Sequence, residues 1–381
     1  MPTAAINQAG CHIHLKSERL EVFGRNPVTD REEVLREIPI RDLDRLVIQE
    51  SVQITSHALA ALLRAKIPVQ LLGWNGQYLG GFLPPDNAHG MSRLRQYRAA
   101  LDPAFALQMA GRIITAKTYN QRRVLQRLGL SHSLVRYASD LPMPGFSNSE
   151  VILNTTATPT LNGPSEKFLT GRSEICPPAG EVQTTLAWME SLMASLPRCL
   201  DLDELRGYEG TTAARYFQCW SQFLPPEFPF ERRSKRPPHN PVNACISFGA
   251  TLIYSEMTAF IQAHGLDPAL GLLHATEDGR WSLALDLMEP FRPVLVEALA
   301  LDLFSHQVLN TGHFEPRNGG IYLNEEGRKK FFLQYERRME RQFLSEAAGH
   351  RTTLRQQLDQ QAVMFKAALE DQSKFEPFLM N

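Results

Sequence analysis

Cysteine is scarce in this chain: five residues in 381, at positions 11, 176, 199, 219 and 245, with no Cys-x-x-Cys pair among them. An odd, scattered set excludes a disulfide framework or a cysteine-ligated zinc site, and it fits reduced thiols in a cytoplasmic protein. An excess of one charge is missing too. The 40 Lys and Arg stand against 41 Asp and Glu, a net charge of −1, so bulk charge does not mark a nucleic-acid binder and only local distribution can. No apolar run approaches the roughly 20 residues that span a bilayer, and the amino terminus has neither a charged nor an apolar leader region. A cytoplasmic protein with no membrane partner is expected. Tandem repeats are also absent.

What is there describes an ordinary soluble globular protein: 43% hydrophobic and 21% charged residues. The length allows two domains with cores of their own. Texture divides the chain. Up to about residue 85 it reads as short strands at 11–15, 19–23, 46–48, 52–54, 69–72 and 78–82, with a helix at 56–65 capped by Thr55 or Ser56. Asn75-Gly76 between two apolar runs is a hairpin signal. Helices are expected at 92–99, 103–128, 184–196, 209–223, 241–264, 289–304, 325–348 and 356–369. A Pro/Ser/Thr/Asn/Gly-rich tract at 140–180 reads as a loop insertion or a partly disordered segment. The fold class is therefore α+β: a small β-rich N-terminal domain (1–85), a linker (86–91), a larger mainly α-helical domain (92–348) and a partly helical tail (349–381).

Three residues interrupt apolar patterns in the helical part. Glu209 falls on the stripe continued by Ala213, Tyr216 or Phe217, and Trp220. His274 ends the run Leu270-Gly271-Leu272-Leu273, and Glu289 closes Leu283-Ala284-Leu285-Asp286-Leu287-Met288. Two carboxylates cannot be buried unpaired at low cost, and two carboxylates with one imidazole make an open site for a catalytic divalent metal. Blander explanations exist for each. Asp286 could cap a helix with Glu289 at its third position, His274 could be a satisfied core histidine, and Glu209 could stabilise a helix's positive end. Glu277-Asp278-Gly279 reads as a hairpin turn joining 270–274 to 281–285.

Basic residues are clustered despite the neutral total. Residues 93–127 carry eight Lys and Arg against the single acid Asp102, and Arg232-Arg233-Ser234-Lys235-Arg236 precedes Pro237-Pro238. Such clusters either neutralise phosphates or form solvated faces. Lys117 and Gln121 share a helical line with Ala110, Ile114, Val124 and Leu128, where a solvated charge is out of place.

Ordered motifs now carry a family resemblance. They are Val52-Gln53-Ile54-Thr55-Ser56-His57, Ala116-Lys117-Thr118-Tyr119-Asn120-Gln121, Arg236-Pro237-Pro238-His239-Asn240-Pro241-Val242-Asn243, Gly265-Leu266-Asp267-Pro268, and above all Asp286-Leu287-Met288-Glu289-Pro290-Phe291-Arg292-Pro293. Most of residues 10–340 resembles the CRISPR adaptation integrase family, the first of the Cas proteins, with a break at 140–180. The resemblance implies Glu209, His274 and Glu289 as catalytic metal ligands for Mg²⁺ or Mn²⁺. It implies Asp286 behind them or reaching the metal, and Asn243, Lys117 and Arg292 around the site; Lys117 and Arg292, with the clustered Arg232, Arg233, Lys235 and Arg236, are the expected DNA-binding residues. It further implies that residues 1–85 dimerise the chain and that a small ferredoxin-like second Cas protein bridges the homodimer. DNA would be the substrate, as spacer donor and CRISPR repeat, joined by 3′-hydroxyl attack on repeat phosphodiesters. With water as nucleophile the same site is an endonuclease. A repair nuclease acting on branched DNA and a non-catalytic DNA-binding scaffold remain as alternatives.

Overall fold

The computed structural model describes residues 3–6, 8, 10–26, 31–73, 78–84, 89–139, 179–345 and 349–380. The 140–180 tract and the Asn75-Gly76 turn lie almost wholly outside these residues, as does half of the expected linker, residues 86–88.

The first part builds two four-stranded sheets. Strands β1 (Thr3–Ile6), β2 (His12–Lys16), β3 (Arg19–Arg25), β4 (Glu32–Pro39), β5 (Arg45–Gln49) and β6 (Gln53–Ile54) precede helix α1 (Ser56–Arg64), and β7 (Val69–Leu72) and β8 (Tyr78–Phe82) follow it. Their orders are β4-β3-β2-β6 and β1-β5-β7-β8. Ile13, Leu20, Leu46, Leu62 and Val69 form the fully buried centre of their shared core. Thr55 is the cap of α1, its side chain accepting from Ala58 N at 3.3 Å. The antiparallel pairing of β7 with β8 fits the expected hairpin.

Two strands of this part went unread. Strand β4 is an edge strand with sequence EEVLREIP, mostly exposed, so it lacks the alternation that marks a half-buried strand. Strand β1 is too short for a period to show.

The helical part comprises α2 (Gly90–Ala100), α3 (Pro103–Ser139), α4 (Ala179–Ser195), α5 (Leu202–Trp220), α6 (Pro241–Ala263), α7 (Ser282–Met288), α8 (Ala298–Ser305), α9 (Glu325–Glu340) and α10 (Leu354–Ala368). Short hairpins β9 (Phe314–Arg317)/β10 (Gly320–Leu323) and β11 (Phe343–Ser345)/β12 (His350–Thr352) flank α9. Helix α6 is the axis. Its 23 residues reach a hydropathy of 1.4, enough in length and composition to cross a membrane, yet 67% of the most apolar window is buried inside the protein. Apolarity all round is what a helix enclosed by others requires.

Three expectations fail for identifiable reasons. Residues 270–285 do not form a hairpin. Leu283, Ala284, Leu287 and Met288 are buried at helical spacing, so the segment from Ser282 coils as α7, although a turn with Gly279 at φ +77° does precede it. Residues 289–304 are not one helix. Pro290 and Pro293 remove backbone donors, and the chain passes through a 3₁₀ turn (Glu289–Phe291) and a π turn (Pro293–Glu297) before α8. The helix expected at 325–348 stops at Glu340, where Arg341 turns extended and the β11/β12 hairpin begins.

The segment after residue 349 belongs to the helical core. Leu358, Phe365 and Phe375 are fully buried, and Phe378 stacks on Phe291 with ring centroids 4.6 Å apart. Asn120 ties this segment to the site. Its Nδ2 donates to Pro290 O (2.7 Å) and Phe378 O (3.0 Å), and its Oδ1 accepts from Met380 N (2.7 Å). A buried charge cluster joins the two cores: Glu256 of α6 pairs with Arg45 of β5 (2.8 Å) and Arg355 of α10 (3.1 Å). Burial raises the Glu256 carboxyl, but Arg355 and Arg45 outweigh it and hold its pKa down to about 2.

Candidate metal centre beside a basic loop

Helices α3 and α5 and the broken α7–α8 segment bring the site together. Helix α5 starts at Leu202, with Asp201 accepting from Asp203 N (2.9 Å) and Glu204 N (2.8 Å). Glu209 therefore lies two turns inside the helix, away from its positive end, and the end-charge explanation fails. Its carboxylate faces α3 and is bonded to Lys117 Nζ. The same ammonium lies 2.6 Å from Glu289 Oε2. Lys117 thus joins Glu209 and Glu289 at one point.

The 3₁₀ turn at Glu289–Phe291 turns Glu289 inward. Its other oxygen, Oε1, accepts from Arg292 Nη1 at 2.7 Å, three residues on. Burial raises the Glu289 carboxyl, but Arg292 and then Lys117 hold it well below the usual carboxylate range, with a smaller contribution from His274. Burial likewise disfavours the charge on Lys117, and Glu289 and Glu209 overcome it, so its pKa is raised. Arg292 is raised too, Glu289 outweighing burial. Both cations stay charged.

His274 is placed by Asp286. That carboxylate is fully buried within α7, so it is not the helix cap that its spacing from Glu289 suggested. It accepts from Leu272 N (2.5 Å), Leu273 N (3.1 Å), His274 N (3.0 Å) and, at 2.6 Å, His274 Nδ1. A carboxylate on Nδ1 fixes the tautomer and leaves Nε2 with its lone pair for a ligand, the pattern typical of metal-binding histidines. Arg206 braces the same loop from α5, donating to Leu273 O through Nε (3.0 Å) and Nη2 (2.7 Å).

The basic loop divides. Arg233 turns inward: Nη1 donates to Asn243 Oδ1 (2.7 Å) and Nη2 to Ser247 Oγ (3.2 Å), and burial lowers its pKa to about 10. Asn243 organises the loop, its Oδ1 accepting from Ser234 N (2.9 Å) and its Nδ2 donating to Arg232 O (2.9 Å). Arg232, Lys235 and Arg236 remain exposed. The Lys235 pKa is lowered by desolvation and then by Arg292, with Glu289 opposing them. The arginines of α2 and α3 largely serve the fold: Arg95 pairs with Glu370 (2.5 Å), Arg122 with Glu190 (2.9 Å), and Arg112 donates to Gln372 O and Phe375 O.

Sequence reasoning missed Glu297, Arg206 and Asn120. Glu297 is 1% exposed, and burial raises its pKa against the pull of Arg292 and Lys117. Its signal was present, a lone acid in Pro293-Val294-Leu295-Val296-Glu297-Ala298, the same signal that marked Glu289. Arg206 and Asn120 act through backbone carbonyls, which leave no trace in sequence.

By donor chemistry, two carboxylates and an imidazole fit a divalent cation, with the imidazole favouring Mn²⁺ over Mg²⁺. Among the described residues no three His, Cys, Asp or Glu side chains are gathered around one point, and the Lys117 ammonium fills the place where Glu209 and Glu289 meet.

Fold and site together define a class: an α+β protein whose helical part sets acids and an imidazole beside an exposed basic loop. The family model described as "CRISPR associated protein Cas1" matches residues 4–142 and 166–337, and the chain belongs to that family. It is 31% identical over 307 residues to the CRISPR-associated endonuclease Cas1 1 of Thermodesulfovibrio yellowstonii, covering 80% of this chain and 83% of that protein. It is 29% identical over 367 residues to a CRISPR-associated exonuclease Cas4/endonuclease Cas1 fusion of Geobacter sulfurreducens, covering 95% of this chain and 56% of the fusion's length. The fold is similar to that of a casposase bound to integration product, with a TM-score of 0.72, 22% identity, and 100% of this chain and 93% of the other covered.

Proposed function

We propose that this chain is a metal-dependent DNA endonuclease and integrase that inserts new spacer DNA into a CRISPR array. The observation that carries the reading is the convergence of Glu209 and Glu289 on one cation position, together with a histidine whose Nδ1 is fixed by Asp286 and whose charge reaches Glu289. Glu209, Glu289 and His274 hold the metal, Mn²⁺ or Mg²⁺. Bound there, the ion supplies Lewis-acid stabilisation of the charge that develops on the phosphodiester oxygens. Asp286 keeps the imidazole oriented, and Arg292 balances the charge of Glu289. Arg232, Lys235 and Arg236 neutralise the backbone phosphates of the bound duplex.

The nucleophile is the 3′-hydroxyl of the donor strand. One P–O bond forms to it as one P–O bond of the repeat breaks, so the number of phosphodiesters is conserved and no nucleotide cofactor is consumed. Water in place of the hydroxyl gives nicking. The name of the Thermodesulfovibrio relative, an endonuclease, and the integration product bound to the casposase agree with this chemistry. The reading includes a homodimer formed through the β-rich part and bridged by the small ferredoxin-like second Cas protein. Glu209→Ala, His274→Ala and Glu289→Ala tested for Mn²⁺-dependent nicking of plasmid DNA should each lose activity by several orders of magnitude while keeping the wild-type circular dichroism spectrum. Wild-type turnover by the Glu209 variant contradicts the assignment.

A further inference from the structure

The Lys117 ammonium occupies the one position that both acidic ligands share, 2.6 Å from Glu289 Oε2 and bonded to Glu209. A Mg²⁺ or Mn²⁺ ion bound to those oxygens sits about 2.1 Å from each, so it and the nitrogen cannot fit there together. Their charges also repel at such a distance. We propose that Lys117 and the divalent metal compete for the same carboxylate oxygens, so that metal binding is an exchange in which the ammonium is displaced. The proposal rests on the metal-site reading and extends it to how the ion enters.

Two further observations fit an exchange. Glu289 retains Arg292 on its other oxygen, at 2.7 Å, so losing Lys117 does not leave that buried carboxylate bare before the ion arrives. A displaced ammonium also has acceptors at hand. Gln121 lies one helical turn beyond Lys117 on α3 and is 1% exposed, and its side-chain oxygen has no hydrogen-bond partner among the described residues. Glu297 Oε2 also lacks a hydrogen bond of ordinary geometry, with the Tyr216 hydroxyl as its nearby donor, and its carboxylate feels the charge of Lys117. Unsatisfied buried acceptors are uncommon, and Gln121 and Glu297 supply two of them. On this account Lys117 neutralises the acids during folding and sets the threshold of metal concentration at which the site loads.

The test titrates Mn²⁺ alone into the full chain, following binding by calorimetry and by the electron paramagnetic resonance of free Mn²⁺. Lys117→Gln should bind Mn²⁺ at least about tenfold more tightly than wild type, because one charge-assisted hydrogen bond and one buried ion pair no longer have to be broken. Lys117→Arg keeps the charge and should bind no more tightly than wild type. In chelator, Lys117→Gln should melt below wild type, and saturating Mn²⁺ should raise its melting temperature by more. Equal or weaker Mn²⁺ binding by folded Lys117→Gln overturns the exchange. If that variant is unfolded in chelator, recovery of a cooperative transition on adding Mn²⁺ supports the proposal, and failure to recover overturns it. Absence of Mn²⁺ binding by wild type and both variants instead removes the metal-site reading, and the exchange with it.

Discussion

Replacing Asp286 by asparagine tests how the histidine arm of the site is held. The two carboxylate oxygens divide four donors: Oδ2 accepts from Leu272 N and Leu273 N, and Oδ1 from His274 N and His274 Nδ1. An amide offers only one oxygen, so in either orientation two donors face an NH₂ group instead. Hydrogen bonds to a charged acceptor contribute about 1.5–3 kcal/mol each, and two of the four are lost, so Asp286→Asn should lose about 3–6 kcal/mol of stability. Urea unfolding in chelator isolates this loss from any metal contribution. Mn²⁺ affinity should fall as well, by about 10–100-fold, as when the partner of a ligating histidine is removed. An unfolding midpoint unchanged from wild type refutes the argument, because it means that the loop of residues 272–274 does not depend on the carboxylate.

The other predictions concern separate parts of the molecule. Charge reversal at Arg232, Lys235 or Arg236 should weaken DNA binding and lower the slope of log affinity against log salt by about 0.9 for each phosphate no longer neutralised, as read from filter binding across a salt series. Glu256 has its folded pKa lowered from the ordinary value of 4.5 to about 2, so the stability it contributes is complete above pH 4.5 and is lost as pH falls towards 2. Glu256→Gln should flatten that acid limb, which acid-unfolding curves of the two proteins compare directly. Leu79 and Phe82 of β8 are 49% and 47% exposed, and Leu79→Glu with Phe82→Glu should convert the proposed homodimer to a monomer in light scattering.

The site was legible in sequence where a charge interrupted an apolar pattern, and obscure where the backbone made the contact. Glu209 and Glu289 stood out because carboxylates on buried faces need partners, and Lys117, anomalous on its own apolar stripe, proved to be that partner. Glu297 carried the same mark and was passed over. Arg206 and Asn120 could not be read, because their acceptors are carbonyls of Leu273, Pro290 and Phe378, which any residue presents. Asp286 illustrates a conflict between local and tertiary signals. Its spacing from Glu289 fitted a capping box, but three backbone donors of a distant loop claim its carboxylate. In the fold, long buried helices were clear, whereas the exposed edge strand β4 and the proline-broken path from Glu289 to Glu297 were not. Periodicity reports burial, so an edge strand facing water and a helix that changes pitch both escape it.

The most direct test of the account is covalent joining. A labelled donor duplex with 3′-hydroxyl ends is incubated with the chain, the small second Cas protein proposed as its partner, Mn²⁺ and a supercoiled plasmid carrying the cognate repeat. The account predicts labelled donor linked to plasmid DNA, lost with a 3′-deoxy donor, with chelator, and with Glu289→Ala, while water-driven nicking by wild type persists with the 3′-deoxy donor. Efficient cutting of branched DNA with no donor ever linked to the plasmid would contradict it.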